Sequence, residues 1–503
     1  MQRLIIALTA SLLGISPSAS LASYAIYVGN HLTADGNTFL GGTGDEPSSH
    51  WLEIVPRMTH PPGATIRVGA DARAEFPGEL MEIPQVHETA GYITMNYSEF
   101  AGFPAPLTNG GLNDYGVAVR DVWSESRKEL QEMTPRPQHG LNYSDLSRIV
   151  MERAHSAREA VEIVGALIDR YGYATYGGNS HFFADAEEGW VLVDFAGGQG
   201  LWIAERIGPD EIRMSYPGYI LEIPLDFAKH PDRYRGSRNF IAFAIEHGWY
   251  DPKSGKSFNV NAVYQTGKGR SPAVKVIEER LRQRTAAHKL TLREFMDTVR
   301  DPLLSGDQNG YGQAASLRAG VARSEMHLLW VAATGSITTP FVPYWTGNEG
   351  VLPEYGKHRY LSSRESEGFE TKDFQIQEAS QFAYLTFKRL MYYTCDKPDK
   401  FLPEVTEALT AFEDQSIAES GAIEARAAKL FAVGEPAMAR DVLTSYSNRR
   451  ALDALHLGEA LLASIEARHR LLYGYRAPKN PQMSGPDDDR AAVVGCGPTL
   501  PWD

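Results

Sequence analysis

The chain has 503 residues, enough for about three domain-sized units of ~150 residues or for one large core with appendages. Hydrophobic residues make up 43% and charged residues 22%, a globular balance that excludes disorder as the main state. The formal charge of −14 argues against a nucleic-acid binder, and two cysteines exclude a disulfide-dense scaffold, a cysteine-rich zinc module and an iron–sulfur cluster.

Residues 1–22 (MQRLIIALTASLLGISPSASLA) combine Arg3, an apolar stretch from Leu4 to Ile15, and small residues, Ser20 and Ala22, at −3 and −1 of a cut before Ser23. The pattern predicts a signal peptide and export to the periplasm or beyond, with a signal anchor as the alternative. No cysteine lies near the cut, so a lipid-modified cysteine anchor is excluded, and no second apolar run reaches membrane-spanning length. Cleavage would leave Ser23 as residue one. Its hydroxyl is a nucleophile, and its α-amine, with an ordinary pKa of about 7.7–8.0, can act as a base near neutral pH. In an exported chain Cys395 and Cys496 could form one disulfide.

Residues 23–29 (SYAIYVG) read as a strand covered on both faces. The Asp35-Gly36 turn then leads into a second strand at 38–42. Further strands are expected at 91–97 and 115–122, the latter fed by a turn at 110–117. Residues 144–171 read as two helices with Ser144 and Ser156 as caps. Residues 181–184 and 190–195 form a hairpin around 185–189, and 202–206 continue the strands. Residues 274–300 turn helical, 327–333 are a strand, and the Pro-rich 341–345 follow. From 373 to 474 the chain is rich in Ala, Glu, Leu and Arg with helical periodicity, and 476–503 read as an irregular tail. The expected organisation is a signal peptide (1–22), an α+β catalytic domain (23–360), a helical C-terminal region (361–475) and the tail.

There is no G-x-S-x-G elbow, Walker A loop, H-E-x-x-H or S-x-x-K motif, and the fourteen histidines show no metal-ligand spacing. No cofactor and no metal are expected. What the chain does carry is an ordered set of segments: Ser23 to Asp45, then 111–117 (GLNDYGV), then 185–206 with Trp190 and Gly197-Gly198, then His327 to Tyr344 behind an Arg323-x-x-x-His327 spacing. In these the chain resembles the C69 dipeptidase family of the N-terminal nucleophile (Ntn) hydrolases. The resemblance implies a four-layer αββα sandwich and hydrolysis of a peptide or amide bond in a small substrate; the acidic charge and the lack of a second apolar run add the expectation of no nucleic-acid partner and no stable membrane anchor. Three departures stand out. Ser23 takes the place of the family's usual Cys. Gly42 stands where the family usually has an Arg. A family Asn falls near Tyr216.

On this reading Ser23 is the nucleophile and its α-amine the general base. Asp45 either holds the amine or is a turn residue, and Asn113 either donates to the oxyanion or serves its turn. Tyr216 is a candidate oxyanion donor or pocket wall. Arg318, Arg323 and His327 either bind a substrate carboxylate or form structural ion pairs. Trp123 and Trp345 line an apolar pocket or pack in the core. The dipeptidase reading has two rivals: an acylase acting on small N-acyl amides, and a non-catalytic binding protein that retains the fold.

Overall fold

The structure is a computed structural model that describes residues 23–44, 50–98, 103–215, 220–267, 269–306, 309–356, 382–475 and 495–497. The predicted N-terminal segment and most of the tail lie outside these residues. Strand β1 (Tyr24–Val28) and strand β2 (Thr38–Gly44) form the predicted hairpin. They belong to a six-stranded antiparallel sheet in the order Ile212–Ser215, β1, β2, Tyr311–Leu317, Leu328–Ala332, Val342–Trp345. A second, eight-stranded antiparallel sheet runs Tyr234–Gly236, Trp202–Ile207, Gly189–Asp194, Asn179–Ala184, Ala118–Trp123, Leu107–Asn113, Tyr92–Tyr97, His50–Val55.

The alternation of side chains assigns each face. Ala25, Tyr27 and Leu40 share one core with Leu112, Ala118, Val122 and Phe182, so this core lies between the two sheets. Tyr24, Ile26 and Phe39 point the other way, onto helices Pro272–Ala287 and Leu292–Val299. Val119, Phe183 and Trp190 face helices Tyr143–Arg153 and Ala157–Tyr171. Two sheets face to face between two helical layers make the four-layer αββα architecture. Strand β1 is buried on both faces because it lies inside that stack, which explains its unbroken apolar run.

The C-terminal helices Ala383–Asp396, Pro398–Ala432 and Pro436–Tyr473 extend the layer over the six-stranded sheet. Ala439, Leu443 and Tyr446 share the core of Trp330 and Trp345. Glu413, fully buried, bonds Arg293 and Arg300 and accepts the Phe341 N–H at 2.7 Å. The two cysteines are bonded, tying Cys395 at the end of the first of these helices to Cys496.

Several elements differ from their sequence reading for identifiable reasons. Gly110 and Gly111 lie within a strand, not a turn. A Cβ at Gly110 would stand 2.2 Å from the Val119 carbonyl oxygen, and one at Gly111 would stand 1.8 Å from that of Ile93, so only glycine lets these strands approach. Pro343 sits in a strand, which is tolerated because Val342–Trp345 is the edge of its sheet. The 274–300 helix is two helices. Leu290 breaks away to bridge Thr33, and the Thr291–Glu294 capping box restarts the helix. Ser156 caps as expected, whereas the preceding helix starts on an Asn142–Asp145 capping box and Ser144 Oγ accepts the Thr108 N–H instead.

Candidate active site

Ser23 immediately precedes β1 and is buried. It shares the parity of Ala25 and Tyr27, so alternation turns its side chain toward the eight-stranded sheet. The ladder pairs Tyr24 with Thr43, and one further step sets Ser23 opposite Gly44. On the far side of β2, Gly44 pairs with Tyr311 and Gly42 with Gln313. Two glycines therefore separate Ser23 and Ala25 from Tyr311 and Gln313, which leaves a floor free of side chains. At Gly42 this is obligatory: its φ is 145°, and a Cβ would stand 1.9 Å from the Tyr24 carbonyl oxygen. No arginine can stand at this position.

A guanidinium arrives from the opposite sheet instead. Arg120 lies between Ala118 and Val122 on the inward face of its strand and is 1% exposed. Its Nη1 donates to the Tyr311 hydroxyl and, at 3.1 Å, to Gln313 Oε1, and its Nη2 donates to the Thr43 carbonyl. The guanidinium carbon lies 4.9 Å from the centre of the Tyr311 ring. His50, also buried, stacks on Tyr97 and reaches within 5.8 Å of the Tyr311 ring centre. Sequence reasoning missed Arg120. The available signal was a pair of charges, Arg120-Asp121, inside the otherwise apolar strand Ala118–Trp123, where an exposed face is the usual reason for charge.

The other predicted site residues lie elsewhere. Asp45 and Tyr216 fall outside the described residues. Asn113 is consumed by its own turn: Nδ2 donates to the carbonyls of Met151 and Ala154, and Oδ1 accepts the N–H groups of Tyr115 and Val117. The following turn reaches the opposite end of the sandwich, where Gly116 packs against His327. His327 and Arg318 flank the end of the sheet at which Leu317 pairs with Thr38, a full β2 length, about 20 Å, from Gly44. Arg318 binds Glu424 at 2.6 Å and the Met326 carbonyl at 2.6 Å. Arg323 binds Glu325 at 3.1 Å and stacks on Phe431. Burial, with the Arg318 charge second, lowers the His327 pKa to about 4. Arg318 and Arg323 fasten a C-terminal helix to the sheet, and none of the three lies at the Ser23 end of β2. Trp345 belongs to the same junction, its Nε1 donating to Glu424 at 2.8 Å.

A second buried polar cluster lies on the helix-facing side of the eight-stranded sheet. His181 Nε2 is 3.1 Å from Asp194 Oδ2 and its Nδ1 is 3.4 Å from Ser147 Oγ, while Asn179 donates to Asp121 at 2.9 Å. Ser147, His181 and Asp194 are sealed beneath helix Tyr143–Arg153, so this Ser–His–Asp sequence of contacts pins a helix and offers no access to substrate. Among the described residues no group of three or more His, Cys, Asp or Glu side chains could hold a metal ion, and no helix is long and apolar enough to cross a membrane.

Residues 25–273 match the family model for peptidase family C69. Probable dipeptidase B of Streptococcus pyogenes serotype M1 is 24% identical over 213 residues, 42% of this chain and 40% of that protein. Probable dipeptidase A of Streptococcus pyogenes serotype M3 (strain SSI-1) is 25% identical over 203 residues, 39% of this chain and 40% of that protein. The matched region thus spans about two-fifths of these relatives' length. Among solved structures, a mutant of the conjugated bile acid hydrolase from Clostridium perfringens is similar at a TM-score of 0.31, with 11% identity over 64% of this chain and 92% of that one. The family match begins two residues after Ser23 and takes in the eight-stranded sheet and three strands of the six-stranded one, β1 and β2 among them: this chain belongs to peptidase family C69.

Proposed function

We propose that this protein is an exported amidohydrolase of dipeptidase type that cleaves its substrate through Ser23. The supporting observation is the position of Ser23: buried at the head of a central strand, turned toward the facing sheet, above a floor that Gly42 and Gly44 keep clear. A nucleophile on the first residue of a sandwiched strand is rigidly held. In the proposed reaction Ser23 Oγ attacks the scissile carbonyl carbon and the α-amine accepts the hydroxyl proton. Collapse of the tetrahedral adduct breaks the C–N bond, and the amine returns that proton to the leaving nitrogen. Water, deprotonated by the same amine, then hydrolyses the Ser23 ester and releases the acid. A hydroxyl is a weaker nucleophile than the family's thiol, so this chain depends more on base and field than its relatives do.

Export is supported by the pattern of residues 1–22 and by the Cys395–Cys496 disulfide, since such bonds persist in oxidising compartments. The dipeptidase reading comes from the family and from the names of the relatives. The test is hydrolysis of a panel of dipeptides and N-acyl amino acids by protein that begins at Ser23, beside its Ser23→Ala variant. Dipeptide turnover that falls on the order of 10³-fold or more in Ser23→Ala is expected. Turnover of N-acyl amino acids alone would point to an acylase. Wild-type rates in Ser23→Ala would overturn the assignment.

A further inference from the structure

Arg120 is a buried cation with no carboxylate bonded to it among the described residues. All three acceptors of its guanidinium are neutral oxygens, those of Tyr311, Gln313 and Thr43. Its Nε has no acceptor among the described residues. The other fully buried arginines among those residues, Arg300 and Arg450, each have a carboxylate, Glu413 and, at 3.5 Å, Asp453. Burying a charge without a counter-ion is costly to folding, and such costs cluster at functional sites.

The place of this charge indicates its use. Thr43 pairs with Tyr24, and Tyr311 and Gln313 pair with Gly44 and Gly42. Arg120 therefore reaches across the sandwich to the end of β1 that begins at Ser23. One strand spacing and one residue separate Thr43 from Ser23, so the guanidinium lies within about 10 Å of the Ser23 nitrogen. We propose that Arg120 is a positioning residue whose unpaired charge keeps the α-amine of Ser23 in its neutral, proton-accepting form near neutral pH. This rests on Ser23 being the nucleophile.

Other titratable and charged groups face this end of β1 from the packed elements. Lys388 Nζ donates to the Asn309 carbonyl at 3.1 Å, and Asn309 Nδ2 donates to Thr43 Oγ1 at 3.4 Å, so a second cation acts in the same sense as Arg120. Tyr311 and His50 line the space between the sheets. On the helix side Glu278 is paired with Arg270 and Arg282 and accepts the Met214 N–H, and the Tyr24 hydroxyl donates to the Val299 carbonyl. Asp121, Asp194 and His181 lie on the far face of the eight-stranded sheet. Asp45 is outside the described residues. A unit charge about 10 Å away, at an effective dielectric constant of about 20, lowers an amine pKa by about one unit.

The experiment titrates the amine directly, in protein with Ser23 as its first residue. Carbamylation by cyanate, followed by the mass of the N-terminal peptide, reports the fraction of neutral amine at each pH without any turnover. The wild-type midpoint is expected about one unit below the ordinary 7.7–8.0. It should return to the ordinary range in Arg120→Met and Arg120→Gln and stay at the wild-type value in Arg120→Lys. The acid limb of kcat/KM for dipeptide hydrolysis should move in the same order. A wild-type amine at or above the ordinary range overturns the proposal, even if the neutral variants fail to fold. So does an Arg120→Lys midpoint displaced as far as that of Arg120→Met. Failure of the nucleophile assignment is a separate result, read as wild-type turnover by Ser23→Ala whatever the amine titration shows.

Discussion

Gly42 carries no side chain because none fits, and the space it leaves is answered by Arg120 from the opposite sheet. A charge thus reaches this end of β2 from a strand of the facing sheet. The reverse case is the group Arg318, Arg323 and His327. Arg318 and Arg323 serve packing against Glu424 and Phe431, and His327 packs against Gly116. His327 makes this testable. Its folded pKa, lowered to about 4 by burial first and the Arg318 charge second, lies below the ordinary 6.5 of the unfolded chain. The neutral ring is therefore the form that stabilises the fold. That stability is fully present above pH ~6.5 and is lost as pH falls toward ~4, by up to about 3 kcal/mol. Urea midpoints measured between pH ~7.5 and ~4 should fall more steeply in wild type than in His327→Phe, and parallel curves would exclude the effect.

Among the elements, the junction between the sandwich and the C-terminal helices carries a buried electrostatic cluster. Glu413, fully buried within helix Pro398–Ala432, is held by Arg293 and Arg300 and by the Phe341 N–H. Removing the carboxylate leaves Arg300, 5% exposed, without its counter-ion. Arg293 keeps Asp414 at 2.8 Å. Glu413→Ala should therefore cost about 3–5 kcal/mol in urea unfolding, with Glu413→Gln intermediate because it retains an acceptor for Phe341. A loss below ~1 kcal/mol for Glu413→Ala would mean that the helices are held by their apolar faces alone. The hairpin of β1 and β2 is the contrasting element: apolar on both faces and buried on both, it needs no such anchor.

At the scale of the whole molecule, what was legible in the sequence was whatever local pattern controls. The β1–β2 hairpin, the strands Asn179–Ala184 and Gly189–Asp194, the Ser156 cap and the helical C-terminal region all follow from periodicity and turn chemistry. The layer order came through the family resemblance, and the core composition of the two sheets bears it out. What stayed hidden depends on partners distant in sequence: the glycines of Leu107–Asn113 admitted by neighbouring strands, Pro343 tolerated at an edge, and Arg120 reaching a residue 191 positions away. Composition cannot report which strand will lie opposite another. The central claim, that Ser23 acts through a free α-amine at the head of β1, is tested most directly by comparing protein that begins at Ser23 with protein carrying one additional alanine before it. The added residue turns the amine into an amide that cannot accept a proton. Dipeptide hydrolysis should fall by on the order of 10³-fold, with circular dichroism and urea midpoint unchanged. Full activity in the extended protein would contradict the account.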